Sequence, residues 1–252
     1  MSEIHVVALS GGKDSTAMSL RLMEVEPRDY LFVCTPTGDE LPEMWAHWRY
    51  VGRLLGKPIQ PIIVKGGLNG LVKEQRMIPN ARARWCTRML KIEPWKAFLL
   101  RLSAKHERIV SYVGLRADEP ERQGGDYGVV PGVESRFPMR EWGWTLSDVQ
   151  QYLGKLNVTV PDRTDCARCF FQRLDEWWQL WKDHPDTYQD ACDQEDWIEL
   201  ERGTKHTWRS DSRDTWPAAL DELRSEFVRG RRPRGAGVQD LFGGGKCRVC
   251  SM

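Results

Sequence analysis

The sequence predicts an α/β fold: an open, mostly parallel twisted sheet with helices on both faces, extended at its C-terminal end by further helices. Three observations carry this reading. The apolar, β-branched run Ile4-His5-Val6-Val7-Ala8-Leu9 stops at Ser10-Gly11-Gly12 and continues into a helical pattern, so it reads as strand, tight glycine turn, helix. Strand, helix, strand, helix, strand then follow through residue 64 at a spacing that calls for parallel strands joined by right-handed crossovers. A further strand over 108–113 ends in Gly114-Leu115-Arg116, and in open sheets of this type ligands gather at the carboxyl ends of the strands.

Taken in order, the helix after the glycine turn leads to a second strand over 30–35, which ends in Pro36-Thr37-Gly38-Asp39-Glu40-Leu41-Pro42-Glu43. Pro42 suits the first turn of a helix running over 43–55, closed by Gly56 and Pro58. A third strand covers 59–64, and Cys34 on the second strand reads as a small core residue. Residues 66–84 read as a glycine- and arginine-punctuated connection, followed by Trp85-Cys86-Thr87-Arg88-Met89-Leu90-Lys91-Ile92-Glu93-Pro94 and a helix from Pro94 to about residue 102. Residues 124–139 read as irregular, with two short strand candidates. Thr145-Leu146-Ser147-Asp148 then opens a helix through 153 by a capping-box-like pattern with Asp in place of Glu. Helices are predicted over 174–184, 185–194 and 215–228. The organisation expected is a nucleotide-binding α/β domain over 1–140, a helical extension over 141–234 and a flexible Cys-containing tail over 235–252.

At 252 residues, 29% charged and 40% hydrophobic, the composition is that of a soluble globular protein with one large domain and an appendage. No run approaches the roughly 18 apolar residues a membrane span needs, and a strand begins almost at the N-terminus, so no membrane role and a cytoplasmic location are expected. The net charge of +1 argues against strong global attraction to nucleic acid. Two basic clusters stand out locally: Arg82, Arg84, Arg88 and Lys91 around Cys86, and Arg229-Gly230-Arg231-Arg232-Pro233-Arg234, which reads as a solvated linker. Of the twelve tryptophans, Trp177, Trp178 and Trp181 fall at helical spacing and read as core. The seven cysteines, Cys34, Cys86, Cys192 and the pairs Cys166/Cys169 and Cys247/Cys250, suggest metal ligation or thiol chemistry rather than structural disulfides.

The glycine turn is an anion site by construction. Its backbone N–H groups can approach a phosphate, the helix N-terminus adds partial positive charge, and Lys13 with the hydroxyls of Ser10 and Ser15 adds donors. It is not a Walker loop, because Asp14 follows Gly12-Lys13 and Val7 stands where that motif has its first glycine. Ser10-Gly11-Gly12-Lys13-Asp14-Ser15 resembles instead the PP-loop of the adenine nucleotide alpha hydrolase superfamily. Thr37-Gly38-x-x-Leu41-Pro42-Glu43, the block from Cys86 to Pro94, and Gly114-Leu115-Arg116 are similar to motifs of its phosphoadenosine phosphosulfate (PAPS) reductase branch, a resemblance that covers about residues 4–140. Further on, Cys166-Ala167-Arg168-Cys169-Phe170-Phe171-Gln172 looks like a phage and bacterial PAPS-reductase-like group, related to DNA phosphorothioation enzymes.

The resemblance implies an adenine nucleotide, ATP or PAPS/APS with Mg2+ as a candidate partner of its phosphates, held by Ser10, Gly11, Gly12, Lys13, Asp14, Ser15, Thr37, Gly38, Arg88, Lys91, Arg116 and Arg122. Asp14 and Asp39 are candidates for a metal shell. It also implies a [4Fe-4S] cluster on Cys86, Cys166 and Cys169, with Cys250, Cys247 or Cys192 as the fourth ligand or one iron left open. Where reductases of the family have a Cys-Cys pair, this chain has Trp85-Cys86. Zinc on the two Cys-x-x-Cys pairs is the alternative. Two chemistries follow. In one, a tail thiolate, Cys247 or Cys250, reduces a sulfonucleotide to sulfite and an adenosine phosphate, Lys13 and Arg116 assisting. In the other, ATP adenylates a nucleic acid or small molecule that is then thiolated. The implied partners are thioredoxin-like or cysteine desulfurase donors. A non-catalytic, nucleotide-binding regulatory protein is the third reading.

Overall fold

The computed structural model describes residues 2–124, 130–210 and 214–237. Its centre is a five-stranded sheet in the order β3-β2-β1-β4-β5, parallel at every pairing. The strands are β1 (Glu3–Ala8), β2 (Tyr30–Cys34), β3 (Ile59–Pro61), β4 (Arg108–Tyr112) and β5 (Val133–Arg136). The chain starts in the middle and winds first towards β3, then returns to place β4 on the other side of β1. The reversal opens a crevice at the carboxyl ends of β1, β2 and β4.

Period-2 alternation sorts the side chains to two faces. Val7, Phe32 and Tyr112 join one apolar layer with α1 (Lys13–Val25), α2 (Pro42–Leu54) and, through Val149 and Leu153, the later helix over Leu146–Lys155. Val6, Val33 and Ile109 face the opposite layer with Trp95, Phe98 and Leu99. These last belong to the helix over Glu93–Ser103. Helices therefore cover both faces, as the sequence predicts.

The differences from the sequence reading lie in the connections and in two later helices, which run over Pro185–Arg202 rather than 185–194 and over Leu220–Val228 rather than 215–228. Between β3 and β4 the chain forms α3 (Gly67–Gln75), a single turn α4 (Trp85–Thr87), a π-helical segment over Arg88–Ile92 and α5 (Glu93–Ser103). The glycines at 66, 67 and 70 masked the helical periodicity of Leu68, Leu71 and Val72, which are buried. β3 ends at Pro61, three residues earlier than expected, and Ile63 beyond it is 65% exposed. A proline is tolerated at such a sheet edge but does not extend the ladder. After β5 come α6 (Pro138–Glu141) and α7 (Leu146–Lys155), the latter opened by Thr145 and Asp148 in a reciprocal capping box.

The remaining helices, α8 (Leu174–Asp183), α9 (Pro185–Arg202) and α10 (Leu220–Val228), form a layer whose core includes Trp177, Tyr188, Ile198 and Leu223. That core is continuous with Leu41, Leu68, Leu71, Trp85 and Leu90 from the first half of the chain. Buried Glu195 staples it, accepting hydrogen bonds from the backbone N–H of Trp208 and Leu220, each at 2.8 Å. The basic run expected to be a solvated linker has its arginines exposed, with local anchors. Arg231 lies 3.7 Å from the ring centroid of Trp216 and pairs with Glu226 at 2.9 Å, while Arg232 stands over Trp178. Cation–π contact tethers these side chains while they stay exposed. Among the described residues no helix is long and apolar enough to cross a membrane.

Candidate functional site

The glycine turn is built to be rigid. Gly11 has φ of +88°, and a Cβ there would stand 2.5 Å from both Cε of Met44 and Nε1 of Trp48. Glycine is therefore required twice over, by conformation and by space. The Trp48 indole donates to the Ser10 carbonyl at 3.2 Å. Ser15 Oγ accepts from the Gly11 N–H at 3.1 Å, donates to the Gly12 carbonyl at 3.1 Å and lies 3.0 Å from Ser10 Oγ. These bonds fix the approach to α1, a helix of 13 residues whose N-terminus has no side-chain cap. Its first-turn N–H groups remain directed at the crevice, the arrangement that binds anions.

Lys13 and Asp14 open that helix. Lys13 is only 4% exposed, with Nζ 4.0 Å from Asp14 Oδ2. Asp14 does not cap the helix; its Oδ2 accepts from Arg116 Nη1 at 2.8 Å. Burial pushes its carboxyl up, opposed by the charges of Lys13 and Arg116. Its Oδ1 is buried without a hydrogen-bond partner among the described residues. Arg116 is gripped on all sides: Nε by Asp118 at 2.8 Å, Nη1 by Asp14, Nη2 by Glu119 at 3.2 Å. Burial alone would lower its pKa, but these carboxylates raise it. The guanidinium expected to meet a substrate anion thus ties the end of β4 to the glycine turn. Arg122 joins the same network through Glu119 at 2.7 Å. Arg88 lies apart, its side chain 65% exposed and 3.7 Å from Glu93.

At the end of β2, Glu40 accepts from the N–H of Thr37 at 2.6 Å, the Thr37 hydroxyl at 2.7 Å and the N–H of Gly38 at 2.9 Å. The two amides expected to face the nucleotide are satisfied internally. Asp39, expected as a candidate for a metal shell, receives Arg168 through Nε at 2.7 Å, through Nη2, and through the Arg168 backbone N–H at 2.8 Å. Burial pushes the Asp39 carboxyl up, and Arg168 pulls it back. The Ala167 N–H also donates to the Asp39 carbonyl at 2.6 Å. This latch docks the Cys-x-x-Cys turn onto the end of β2, with the Thr37 hydroxyl 3.4 Å from Cys166 Sγ.

Docking brings Cys166 and Cys169 to the same small cavity as Cys86, a void of about 20 Å³ also lined by Thr37, Lys91 and Arg168. Lys91 lies in the π-helical segment, a distortion frequent at functional sites. Burial pushes the Cys166 thiol well up and that of Cys169 to about 11, with Lys91 working in the opposite sense. Burial likewise raises Cys86, opposed by the Thr87 hydroxyl and Lys91. Without a metal all three are thiols at neutral pH. Among the described residues no three His, Cys, Asp or Glu form a set able to hold a single metal ion. Cys192, buried in α9, does not line this cavity, and Cys34 is a core residue held protonated, its thiol pushed up to about 12 by burial. Cys247 and Cys250 lie outside the described residues.

The two halves of the site meet at one segment. Thr164 Oγ1 lies 3.6 Å from where a Cβ on Gly12 would stand, and Cys166 follows two residues later. A second, larger cavity of about 1090 Å³ runs between α2 and α8 and includes His47, Arg163 and His184. Sequence reasoning missed Arg168, Glu40 and Thr164. Arg168 carried a signal, since a charged residue between two metal-type cysteines needs a buried partner, and Asp39 stands at the strand end opposite.

A glycine-turn phosphate site at the carboxyl edge of an open parallel sheet defines the class, a PP-loop α/β protein. Within that class residues 4–162 match the phosphoadenosine phosphosulfate reductase domain, and the chain belongs to that family. Among solved structures it is similar to a phosphoadenylyl-sulfate (PAPS) reductase from Candida auris in a phosphate complex. The identity is 14% and the TM-score 0.42, over 64% of this chain and 75% of that one. It is also similar to a predicted subunit of a tRNA methyltransferase from Methanocaldococcus jannaschii, with 15% identity and a TM-score of 0.29, over 63% of this chain and 65% of that one. No curated protein matches significantly.

Proposed function

We propose that the protein reduces a sulfonucleotide, PAPS or APS, to sulfite and an adenosine phosphate. The observation that carries this reading is proximity: Thr164 stands beside Gly12 of the phosphate loop, and Cys166 and Cys169, a few residues further on, line the thiol cavity. The α1 amides and Lys13 bind the nucleotide's phosphate, and Lys91 faces the sulfo group from the thiol side. A tail thiolate, Cys247 or Cys250, attacks the sulfur; the S–S bond forms as the S–O bond breaks, and the adenosine phosphate leaves. A thiol of a thioredoxin-like dithiol attacks the cysteine sulfur, a mixed disulfide forms, and sulfite departs with the electron pair; the second thiol of the dithiol then resolves the mixed disulfide and restores the tail cysteine.

The donor set suits an iron-sulfur cluster. Each thiolate of such a cluster binds a different iron, so the sulfurs sit wider apart than around one zinc with bonds of about 2.3 Å. Three cysteines lining one cavity are donors of the kind such a cluster takes. The void now has about the room of one water, so insertion of an eight-atom cluster has to spread the side chains around it. Cys86, Cys166 and Cys169, with whichever of Cys250 and Cys247 is not the nucleophile, would hold it, and when bound it would supply a redox-active centre beside the nucleotide site.

ATP-dependent thiolation is the second reading, favoured by the three thiols, rather than four, that line the cavity among the described residues. Separate incubation with PAPS, APS and ATP tests both. Sulfite from a sulfonucleotide supports reduction. AMP and pyrophosphate from ATP support thiolation and overturn it. Tight nucleotide binding with no product leaves a regulatory protein.

A further inference from the structure

Arg168 is 4% exposed and stands between the two cysteines of the Cys-x-x-Cys turn. Two of its guanidinium nitrogens, Nε and Nη2, are taken by Asp39. The third, Nη1, is buried without an acceptor among the described residues. The same residue lines the thiol cavity. A buried donor left unpaired costs about 1–3 kcal/mol, more when charged, so a fold that keeps one beside three thiols has a use for it. Lys91 reaches the same cavity and supplies a second positive charge, but its flexible ammonium is not fixed in direction as a latched guanidinium is.

Resting on the reading that Cys86, Cys166 and Cys169 hold an iron-sulfur cluster, we propose that Arg168 is a positioning residue with two separate duties. Through Nε and Nη2 it locks the Cys-x-x-Cys turn to Asp39 and β2. Through Nη1 it donates an N–H···S hydrogen bond to a sulfur of the cluster or of a ligating thiolate. A donor aimed at cluster sulfur stabilises the more negative, reduced state and raises the potential. The latch keeps the donor in place, because rotation of the guanidinium would break both bonds to Asp39.

The full chain, reconstituted anaerobically with iron and sulfide, tests this without reference to turnover. In protein labelled with 15N-arginine, pulsed EPR of the reduced cluster is expected to show a 15N hyperfine coupling that disappears in Arg168→Lys. The lysine variant keeps the charge but loses the forked donor, and at a fixed ambient potential its cluster is expected to be about tenfold less reduced, ~59 mV for one electron. A wild-type cluster with no arginine coupling overturns the inference, whatever the variant does, so a variant that fails to fold does not shield it. An unmoved potential in a folded Arg168→Lys protein also overturns it. Wild-type protein that takes up no iron and sulfide removes the cluster reading and this inference together, an outcome distinct from the other two.

Discussion

The phosphate loop and the thiol cavity lie close together but are finished to different degrees. In the loop, Ser10, Gly11, Gly12 and Ser15 satisfy one another, Trp48 braces the turn and Arg116 is saturated by three carboxylates, Asp14 Oδ1 being left without a partner among the described residues. Among the described residues the cavity holds three thiols that burial keeps protonated and one guanidinium nitrogen without an acceptor. The contrast teaches that the first region is organised before its ligand arrives, whereas the second needs a guest to complete it. Preorganisation of this kind lowers the ordering cost of binding.

The harshest way to break the contrast is Gly11→Ala. The substitution forces an L-residue into positive φ and drives a methyl into Met44 and Trp48. A loss of about 2–4 kcal/mol of stability is expected from strain and overpacking together, seen as a lower denaturant midpoint, with nucleotide binding abolished. A variant as stable and as tight-binding as the wild type would show that the loop is not preorganised. Lys13→Ala acts more narrowly. Removing one charged donor is expected to cost about 1.5–3 kcal/mol of nucleotide affinity, roughly 10–100-fold, in calorimetric titration, while thermal stability stays close to wild type.

The same contrast is sharpened from the other side by Cys166→Ala. Iron and sulfide content after anaerobic reconstitution is expected to collapse, while nucleotide affinity moves by less than about threefold, below roughly 0.7 kcal/mol. Equal loss of both would mean that the regions are one cooperative site. A smaller effect follows from pH. Because burial raises all three thiols above their ordinary value, the metal-free protein holds those protons through neutrality, and metal must displace them. Metal uptake should therefore rise as pH goes from 7 towards 9 and fall below 7, with little parallel change in nucleotide affinity. Uptake flat across that range would contradict the protonated state assigned to the cavity.

How much of this was legible differs between the same two regions. The loop is a local motif: strand, glycines, lysine and helix are adjacent in the chain, so residues 4–25 could be read almost as they stand in space. The capping box at Thr145 and Asp148 and the placement of Pro42 were legible for the same reason. The cavity is assembled across 80 residues, from Cys86 to Cys166, and its cysteines announced themselves while their supports did not. Asp39 and Arg168 meet 129 positions apart, a pairing no local pattern encodes. The π-helical turn that carries Lys91 is invisible to a 3.6-residue periodicity. Arg116 and Arg122 were recognised as crevice residues, but the acidic partners that occupy them stand in the same short run, Asp118 and Glu119, and were read past.

The contact of Thr164 with Gly12 has a consequence for the order of synthesis. The glycine turn is made some 150 positions before Thr164, the residue that stands beside it. At ~5–20 residues per second that interval is on the order of ten seconds or more. During it a nascent chain can present a phosphate-binding turn to the cell's nucleotides with no thiol of the Cys-x-x-Cys turn beside it. The later synthesis of residues 164–169 delivers neighbour and cysteines in one stroke, so the loop and these thiols are brought together only once the chain has been made through residue 169.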